Sequence, residues 1–293
     1  MRKKITTALL LIAFFAGLVL LVYPPFSEWY NSYHQSRVVI SYAESVSNID
    51  QERYEQTLQE AREYNARLAE RGIIWEPTEQ ELAVYNEMLN ITDDNVMAYI
   101  DIPKIGVLLP IYHGTSDKVL QTAIGHLEGS SLPVGGESSN CLLSGHRGMP
   151  NARLFTDIVK LNEGDVFMIR TLNEVLTYEV DQINIIEPYD LSLLNIDEGK
   201  DWCTLITCTP YGVNTHRYIV RGHRIETVDE TSVIVPADAL QLESRFVAVI
   251  IAMPILMFLV VVLLLKTGKR KPNTVVNELL KRRKEYETRS KRP

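Results

Sequence analysis

Two uncharged apolar segments, one near each end of the chain, constrain the fold more than any other feature. Residues 5–23 and 246–265 contain 19 and 20 residues without a charge. At about 1.5 Å per residue, each segment is long enough to cross a hydrocarbon core of roughly 30 Å as a helix. The sequence therefore predicts two transmembrane helices that flank one globular part.

Basic residues beside both segments predict their orientation. Arg2, Lys3 and Lys4 precede the first segment, and four lysines and arginines between positions 266 and 271 follow the second. Positive charge favours the cytoplasmic side, so both termini are expected in the cytoplasm and residues 24–244 outside. A cleaved signal peptide is the alternative for residues 1–23, but YPPF at 23–26 is not a small-residue cleavage site.

The charge of the chain is divided along the same boundaries. The whole chain carries −7, residues 1–23 carry +3 and residues 245–293 carry +9, which leaves −19 on the exported part. An acidic exterior argues against a nucleic-acid partner and is typical of a solvated surface. The basic tail at 266–293 is interpreted as a cytoplasmic, lipid-facing segment.

The exported part begins with a helical region, predicted for residues 24–94. Apolar residues recur at helical spacing over 35–68, which predicts a pair of amphipathic helices. The second ends at Arg71 and Gly72, and Thr78 with Glu81 forms a capping box for a short helix that reaches about residue 89. The irregular segment IIWEPT at 73–78 lies between them and predicts a loop that carries Trp75.

Beyond residue 94 the sequence becomes strand-like. Short β-branched and aromatic runs, broken by Gly, Pro and Asn, predict strands at 97–102, 107–112, 140–144, 166–171, 175–186, 202–207 and 218–225. Two short helices are expected near 117–123 and 152–161. Many short strands around one core indicate a mainly β domain, a barrel or a sandwich, over 95–228, followed by a linker at 229–245.

The chain has three cysteines, and one of them must stay unpaired within a single chain. Cys141 and Cys203 lie within apolar runs and are interpreted as buried small hydrophobic residues. Cys203 and Cys208 have opposite parity in one run, so a regular strand would point them to opposite faces and disfavour a disulfide. Cys208, at the end of a strand beside a turn, is the exposed candidate. No spacing typical of a zinc or thioredoxin-like site is present.

The surroundings of Cys208 predict a nucleophilic site. The apolar run TLITC at 204–208 ends at Cys208, a turn follows at TPYGVNT (209–215), and Arg217 opens the next strand. A nucleophile and a cation on neighbouring strands suit acyl transfer. Upstream, LLSGHRG at 142–148 places His146 at the end of another apolar run. The sequence thus predicts a site made of Cys208, His146 and Arg217.

These motifs resemble those of the sortase family. TLITC resembles the sortase signature that ends in the nucleophilic cysteine, Arg217 falls where sortases place their essential arginine, and His146 in SGHRG matches their catalytic histidine. The stretch 207–224, together with GHLEGSSLPVGG at 125–136, is similar to the class C, pilin-polymerising branch. The resemblance covers roughly residues 95–228.

Membership would imply a fold, a location and a reaction. The fold would be an eight-stranded β-barrel with short helices, preceded by a helical lid region, here flanked by two transmembrane helices. The implied location is the cell membrane of a Gram-positive bacterium, with the catalytic domain outside. The implied enzyme is a cysteine transpeptidase that cleaves LPXTG-like sorting motifs and joins the threonine of one pilin to a lysine of the next, without a metal or another cofactor.

The loop before the barrel departs from the family pattern. Class C sortases usually carry Asp-Pro followed by an aromatic residue there, whereas this chain has Trp75, Glu76 and Pro77 in that order. We expect Trp75 to cover Cys208 and Glu76 with Pro77 to replace Asp-Pro, so that Glu76 pairs with Arg217. A loop packed elsewhere is the alternative.

Two other functions remain open from the sequence. A wall-anchoring sortase would use the same cysteine chemistry with a peptidoglycan amine as the acceptor. A catalytically silent membrane scaffold would bind surface proteins without turning them over. The complete set of Cys208, His146 and Arg217 argues against the scaffold.

Overall fold

The computed structural model describes residues 2–92, 95–150 and 152–227, together with 256–258, 260, 262, 278–279, 281–283 and 285. The chain divides into two units, Met1–Ala239 and Leu240–Pro293. In the second unit the described residues are helical. The predicted linker at 229–245, most of the predicted span at 246–265 and most of the basic tail lie outside the described residues.

A closed eight-stranded β-barrel forms the centre of the first unit. The strands are β1 (Val96–Ile102), β2 (Val107–His113), β3 (Ile124–His126), β4 (Ser139–Ser144), β5 (Val166–Thr171), β6 (Glu174–Ile186), β7 (Asp201–Thr209) and β8 (His216–Ile225). Their order around the barrel is β1-β2-β3-β4-β7-β8-β6-β5, and β5 pairs with β1 to close it. The β2–β3 and β4–β7 pairs are parallel and the others are antiparallel. The barrel prediction is confirmed.

All seven predicted strands are present, and one strand was missed. The missed strand, β3, has only three residues, and its central residue is Gly125. A strand this short shows no alternation, and glycine has low β propensity. Gly125 is required where it lies, because a Cβ atom there would come within 2.4 Å of the Gly114 carbonyl oxygen.

In the described part of the first unit, four α-helices accompany the barrel: α1 (Arg2–Ser47), α2 (Gln51–Arg71), α3 (Glu79–Glu87) and α4 (Asp117–Leu120). The predicted helix near 152–161 is instead a turn followed by a short 3-10 helix, Ile158–Lys160. The capping box of Thr78 and Glu81 at the start of α3 is present as predicted. Among the described residues one helix is long and apolar enough to cross a membrane, within Leu11–Ser47, and its most apolar window has no buried residue.

Helix α1 corrects one expectation about the N-terminal region. The first predicted amphipathic helix is not separate, because α1 runs from the apolar segment through Pro24 and Pro25 to Ser47 without a break. Its last turns are held by the barrel, since Val39, Tyr42 and Val46 pack against Val96 and Tyr99. A proline removes one backbone hydrogen bond, yet the helix continues through both positions.

Alternation along β7 separates the interior of the barrel from its outer face. Cys203 and Leu205 lie in the interior core. Ile206, from the other face of β7, packs with Leu142 of β4 and Ile219 of β8 in a second apolar cluster. Because side chains alternate along a strand, Cys208 shares the face of Ile206.

Candidate active site

Cys208 occupies the penultimate position of β7, where the strand leaves the sheet. Its side chain is partly exposed, whereas Cys141 and Cys203 are buried, and all three cysteines are free. Burial raises the pKa of the Cys203 thiol well above its usual value. A thiol that remains protonated in an apolar interior is a poor nucleophile. Exposure and position therefore single out Cys208 among the three.

Arg217 lies directly opposite Cys208 in the antiparallel β7–β8 pair. Directly paired residues project from the same face of a sheet, with their Cβ atoms about 5 Å apart. The Arg217 Nη1 donates to the backbone carbonyl oxygens of Asn214 at 3.4 Å and His216 at 3.3 Å. These bonds hold the guanidinium near the β7–β8 turn.

His146 approaches Cys208 from the other side of β7. The strand β4 pairs in parallel with β7, with Ser144 opposite Ile206, and His146 follows two residues after Ser144. Continuing that register brings His146 level with Cys208. The Gly145 amide donates to the Ile206 carbonyl oxygen at 3.1 Å, so the register does continue past the end of the strand.

Two further hydrogen bonds tie the histidine segment to β7. The Thr207 hydroxyl donates to the Gly145 carbonyl oxygen at 2.7 Å, and the Arg147 Nη1 donates to the Thr209 Oγ1 at 2.9 Å. Thr207 and Thr209 are the residues on either side of Cys208. These two hydrogen bonds were not predicted from the sequence. The feature that could have indicated them is a pair of polar residues at buried positions at the end of a strand.

The strand order places the segments that carry the three predicted residues side by side. The strand carrying Cys208 lies between the strand that leads to His146 and the strand that begins with Arg217. Gly145 lets the segment before His146 pack against Phe155, because a Cβ atom at this position would come within 2.7 Å of the Phe155 ring. The arrangement can supply a thiol nucleophile, an acid–base group and a fixed cation around one carbonyl group.

A buried apolar cluster lies on the outer face of the barrel, on the same face of β7 as Cys208. Its buried members are Leu142, Ile186, Leu194, Ile206 and Ile219. Ile73, the second residue after α2, packs against this cluster. The segment before the barrel thus reaches the face of the sheet that carries Cys208 and Arg217.

The structure describes the three residues of the predicted lid without testing their roles. Trp75 is 36% exposed and Glu76 is exposed. Pro77 lines a cavity of about 310 Å³ between the loop, α2 and α3. The loop is attached to the barrel by the Ile74 amide, which donates to the Gly129 carbonyl oxygen at 3.0 Å. Cover of Cys208 by Trp75 and pairing of Glu76 with Arg217 stay predictions.

His126 and Arg221, which are not part of the predicted site, have structural partners. His126 is fully buried, its Nδ1 is 2.9 Å from the Tyr85 hydroxyl, and its Nε2 is 2.8 Å from the Ser131 carbonyl oxygen. Arg221 makes two hydrogen bonds to the Asp181 carboxylate, at 3.2 and 2.7 Å. These contacts leave Arg217 as the arginine of β8 that faces Cys208.

Comparison with known proteins agrees with this geometry. Residues 100–225 match the family model described as the sortase domain. Sortase C1 from Streptococcus agalactiae is 52% identical, with a TM-score of 0.64, and the match covers 65% of this chain and 99% of that structure. Sortase C from Streptococcus pneumoniae is 39% identical, with a TM-score of 0.57, over 65% of this chain and 97% of that structure.

A curated relative matches over a shorter stretch. Sortase D from Bacillus subtilis is 32% identical over 129 residues, which are 43% of this chain and 62% of that protein. The S. agalactiae and S. pneumoniae matches, in contrast, extend over nearly the whole of each solved structure. With this identity, this coverage and a closed barrel of eight strands, the chain belongs to the sortase family of cysteine transpeptidases, among the class C sortases.

Proposed function

We propose that this protein polymerises pilins by transpeptidation, and that Cys208, His146 and Arg217 carry the reaction. The observation that supports the proposal most directly is the strand order β4-β7-β8, with Cys208 between His146 and Arg217. The protein is anchored in the membrane of a Gram-positive bacterium with its barrel outside. Its donor substrate is a surface protein with an LPXTG-like sorting motif.

The first half of the reaction forms a thioester. The Cys208 thiolate attacks the carbonyl carbon of the substrate threonine, and the Thr–Gly amide bond breaks. The leaving glycine amine takes a proton from His146 acting as the general acid. Arg217, a permanent cation with a rigid set of donors, stabilises the negative charge on the tetrahedral oxygen.

The second half transfers the acyl group. The incoming lysine ammonium gives a proton to His146, and the neutral amine attacks the thioester. An isopeptide bond forms, and the sulfur leaves as the thiolate. The second proton of the attacking nitrogen passes to the solvent, where it protonates the released glycine amine, so Cys208 returns as a thiolate and His146 in its protonated form.

The pilin part of the proposal is supported by class C relatives. A structure of sortase C from Clostridium perfringens, 40% identical, contains a C-terminal cell wall sorting motif. The S. pneumoniae structure bears on pilin substrate specificity, and a 38% identical sortase C1 belongs to pilus island 1 of group B Streptococcus.

A two-step assay tests the proposed function. A sorting-motif peptide is first incubated with the full chain and hydroxylamine, and a hydroxamate of the peptide is the expected product. A pilin with one acceptor lysine is then supplied, and lysine-linked ladders are expected. No hydroxamate would favour the silent scaffold. Hydroxamate without ladders, combined with transfer to a peptidoglycan amine, would favour wall anchoring.

Replacing Arg217 with glutamine is expected to lower kcat/KM for hydroxamate formation by about 10²- to 10³-fold, because a charged donor to the tetrahedral oxygen is lost. Arg221→Gln is the matched control, since Arg221 is on the same strand and bonds Asp181 instead. Steady-state kinetics with one peptide compares the two. Equal losses in both variants would contradict a specific role for Arg217.

Removing the indole of Trp75 tests the lid. If Trp75 covers Cys208, Trp75→Ala is expected to raise the rate of Cys208 labelling by a thiol reagent about fivefold, the effect of roughly 1 kcal/mol of lost contacts. Cys141 and Cys203 are buried and do not compete under native conditions. Val84→Ala, at an exposed position on α3, is the control. An unchanged labelling rate in Trp75→Ala would show that the loop packs elsewhere.

A further inference from the structure

Helix α1 carries an exposed aromatic stripe just beyond its apolar segment. The stripe consists of Phe26, Trp29, Tyr30 and Tyr33, which are 57%, 37%, 50% and 38% exposed. Their spacing of three, four and seven residues places them on one face of the helix. They contact one another, with the Trp29 and Tyr33 rings stacked at 6.2 Å and the Phe26 and Tyr30 rings stacked at 6.5 Å.

The opposite face of α1 is attached to the barrel. Glu28 forms an ion pair with Arg153 at 2.8 Å, and the Gln35 side chain donates to the Thr122 carbonyl oxygen at 2.6 Å. Further along, the Tyr42 hydroxyl donates to the Met97 carbonyl oxygen and accepts from the Leu172 amide, both at 2.9 Å. At 100° per residue, these attachment points and the aromatic stripe are roughly 160° apart.

We propose that the aromatic stripe binds the lipid headgroup region of the membrane in which α1 is anchored. The stripe begins three residues after the uncharged segment that ends at Tyr23, in the same continuous helix. Trp and Tyr rings favour this layer, because they combine an apolar body with a polar edge. Arg37 extends the stripe with a cation for lipid phosphates, and its Nη1 donates to the Tyr33 hydroxyl at 3.2 Å.

Lengths indicate how the helix lies in this layer. From residue 26 to residue 33 the helix rises about 10 Å, whereas each headgroup layer is only about 5–8 Å thick. All four rings therefore reach the layer only if α1 tilts toward its aromatic face. A rise of about 10 Å projects onto about 8 Å along the membrane normal at a tilt of about 40°, which is the upper end of the range for membrane helices. The barrel, on the opposite face of α1, then rests on the side of the helix that points away from the bilayer.

This orientation also determines how far the candidate active site lies from the membrane. Arg153, which pairs with Glu28, lies in the loop that follows His146, and the Phe155 amide of the same loop donates to the His146 carbonyl oxygen at 3.1 Å. The contacts of Val46 with the barrel lie about 27 Å further along α1. The active-site end of the barrel is therefore the end nearer the membrane, so that a substrate held at the membrane surface would meet it there.

Fluorescence quenching tests the lipid contact without reference to catalysis. The full chain is reconstituted in phosphatidylcholine vesicles with 10% phosphatidylglycerol, about one anionic lipid in ten to engage Arg37, with and without bromine on the upper acyl carbons. Bromolipid quenching of tryptophan emission is expected in the wild type and is expected to be lost in Trp29→Phe, which retains Trp75 and Trp202. Acrylamide should quench the Trp29 contribution poorly.

Each other outcome overturns the proposal in a distinct way. Trp29 emission that acrylamide quenches and bromolipid does not would place the stripe in water. Protection from both quenchers, with self-association in the vesicles, would assign the stripe to a second copy of the chain. Failure of the protein to float with the vesicles would overturn the membrane anchoring on which the inference rests, whereas the hydroxamate assay would still report on the enzyme.

A second comparison tests the consequence for substrates. Phe26→Ser/Tyr30→Ser/Tyr33→Ser is expected to cleave a soluble sorting-motif peptide at the wild-type rate and to lose the rate advantage for a lipid-tethered peptide. Val84→Ser/Val166→Ser, which removes exposed apolar residues elsewhere on the same unit, should retain that advantage. An unchanged advantage in the triple variant would contradict the proposed role of the stripe.

Discussion

Replacing Cys208 with alanine is expected to reduce hydroxamate formation by at least about 10³-fold, since the thioester has no other atom on which to form. Cys208 is the partly exposed cysteine of the three, and it lies opposite Arg217. Intact-mass spectrometry of the enzyme with substrate should show an acyl adduct on the wild type and none on the variant. Steady-state hydroxamate production gives the loss in rate.

Cys141→Ala is the matched control for the loss of a thiol. Cys141 lies opposite Cys203 on the neighbouring strand, and both side chains are in the interior core. Removing this sulfur should lower thermal stability by leaving a small cavity, but the acyl adduct should still form. An adduct that persists in Cys208→Ala and disappears in Cys141→Ala would contradict the assignment of the nucleophile.

Replacing His146 with alanine is expected to lower kcat by about 10²- to 10⁴-fold, the usual contribution of a positioned acid–base group. The leaving glycine amine would then have no nearby proton donor, and the incoming lysine ammonium would have no base. Because the truncation leaves space next to Cys208, added imidazole should restore part of the activity. The measurement is hydroxamate production as a function of imidazole concentration.

His216→Ala distinguishes this role from a general effect of histidine loss. His216 is adjacent to Arg217 in the sequence, and its Nδ1 is 2.9 Å from the Thr215 hydroxyl rather than directed by the β4–β7 register. We expect this variant to retain most of its activity and to be insensitive to imidazole. Rescue of His216→Ala, with none for His146→Ala, would assign the acid–base role to His216.

Much of the fold followed from local patterns in the sequence. Runs of β-branched residues separated by turn residues predicted seven strands, because alternation and turn chemistry depend on neighbouring positions only. The eighth strand, β3, was missed because three residues around Gly125 carry no periodic signal. The continuity of α1 through Pro24 and Pro25 was missed for a related reason. Proline usually interrupts a helix, and the helix nevertheless continues through both residues.

The sequence predicted the three residues of the candidate site more specifically than it predicted the lid. Cys208, His146 and Arg217 were identified from motifs and from their positions at strand ends, and the barrel brings their strands side by side. The lid was not settled in the same way, because Trp75, Glu76 and Pro77 occur in an order without a matching family pattern. A loop without periodicity carries no information about the surface against which it packs.

The sequence by itself determined the residue types available for chemistry, the positions where strands end, and the apolar segment that α1 carries toward the membrane. Only the tertiary structure decided that β7 lies between β4 and β8, so that Cys208 pairs with Arg217 on one side and neighbours the segment after β4 that carries His146 on the other. It also decided which face of α1 the barrel covers. The physical reason is that strand order and helix docking depend on packing between residues far apart in the chain, to which no local period corresponds.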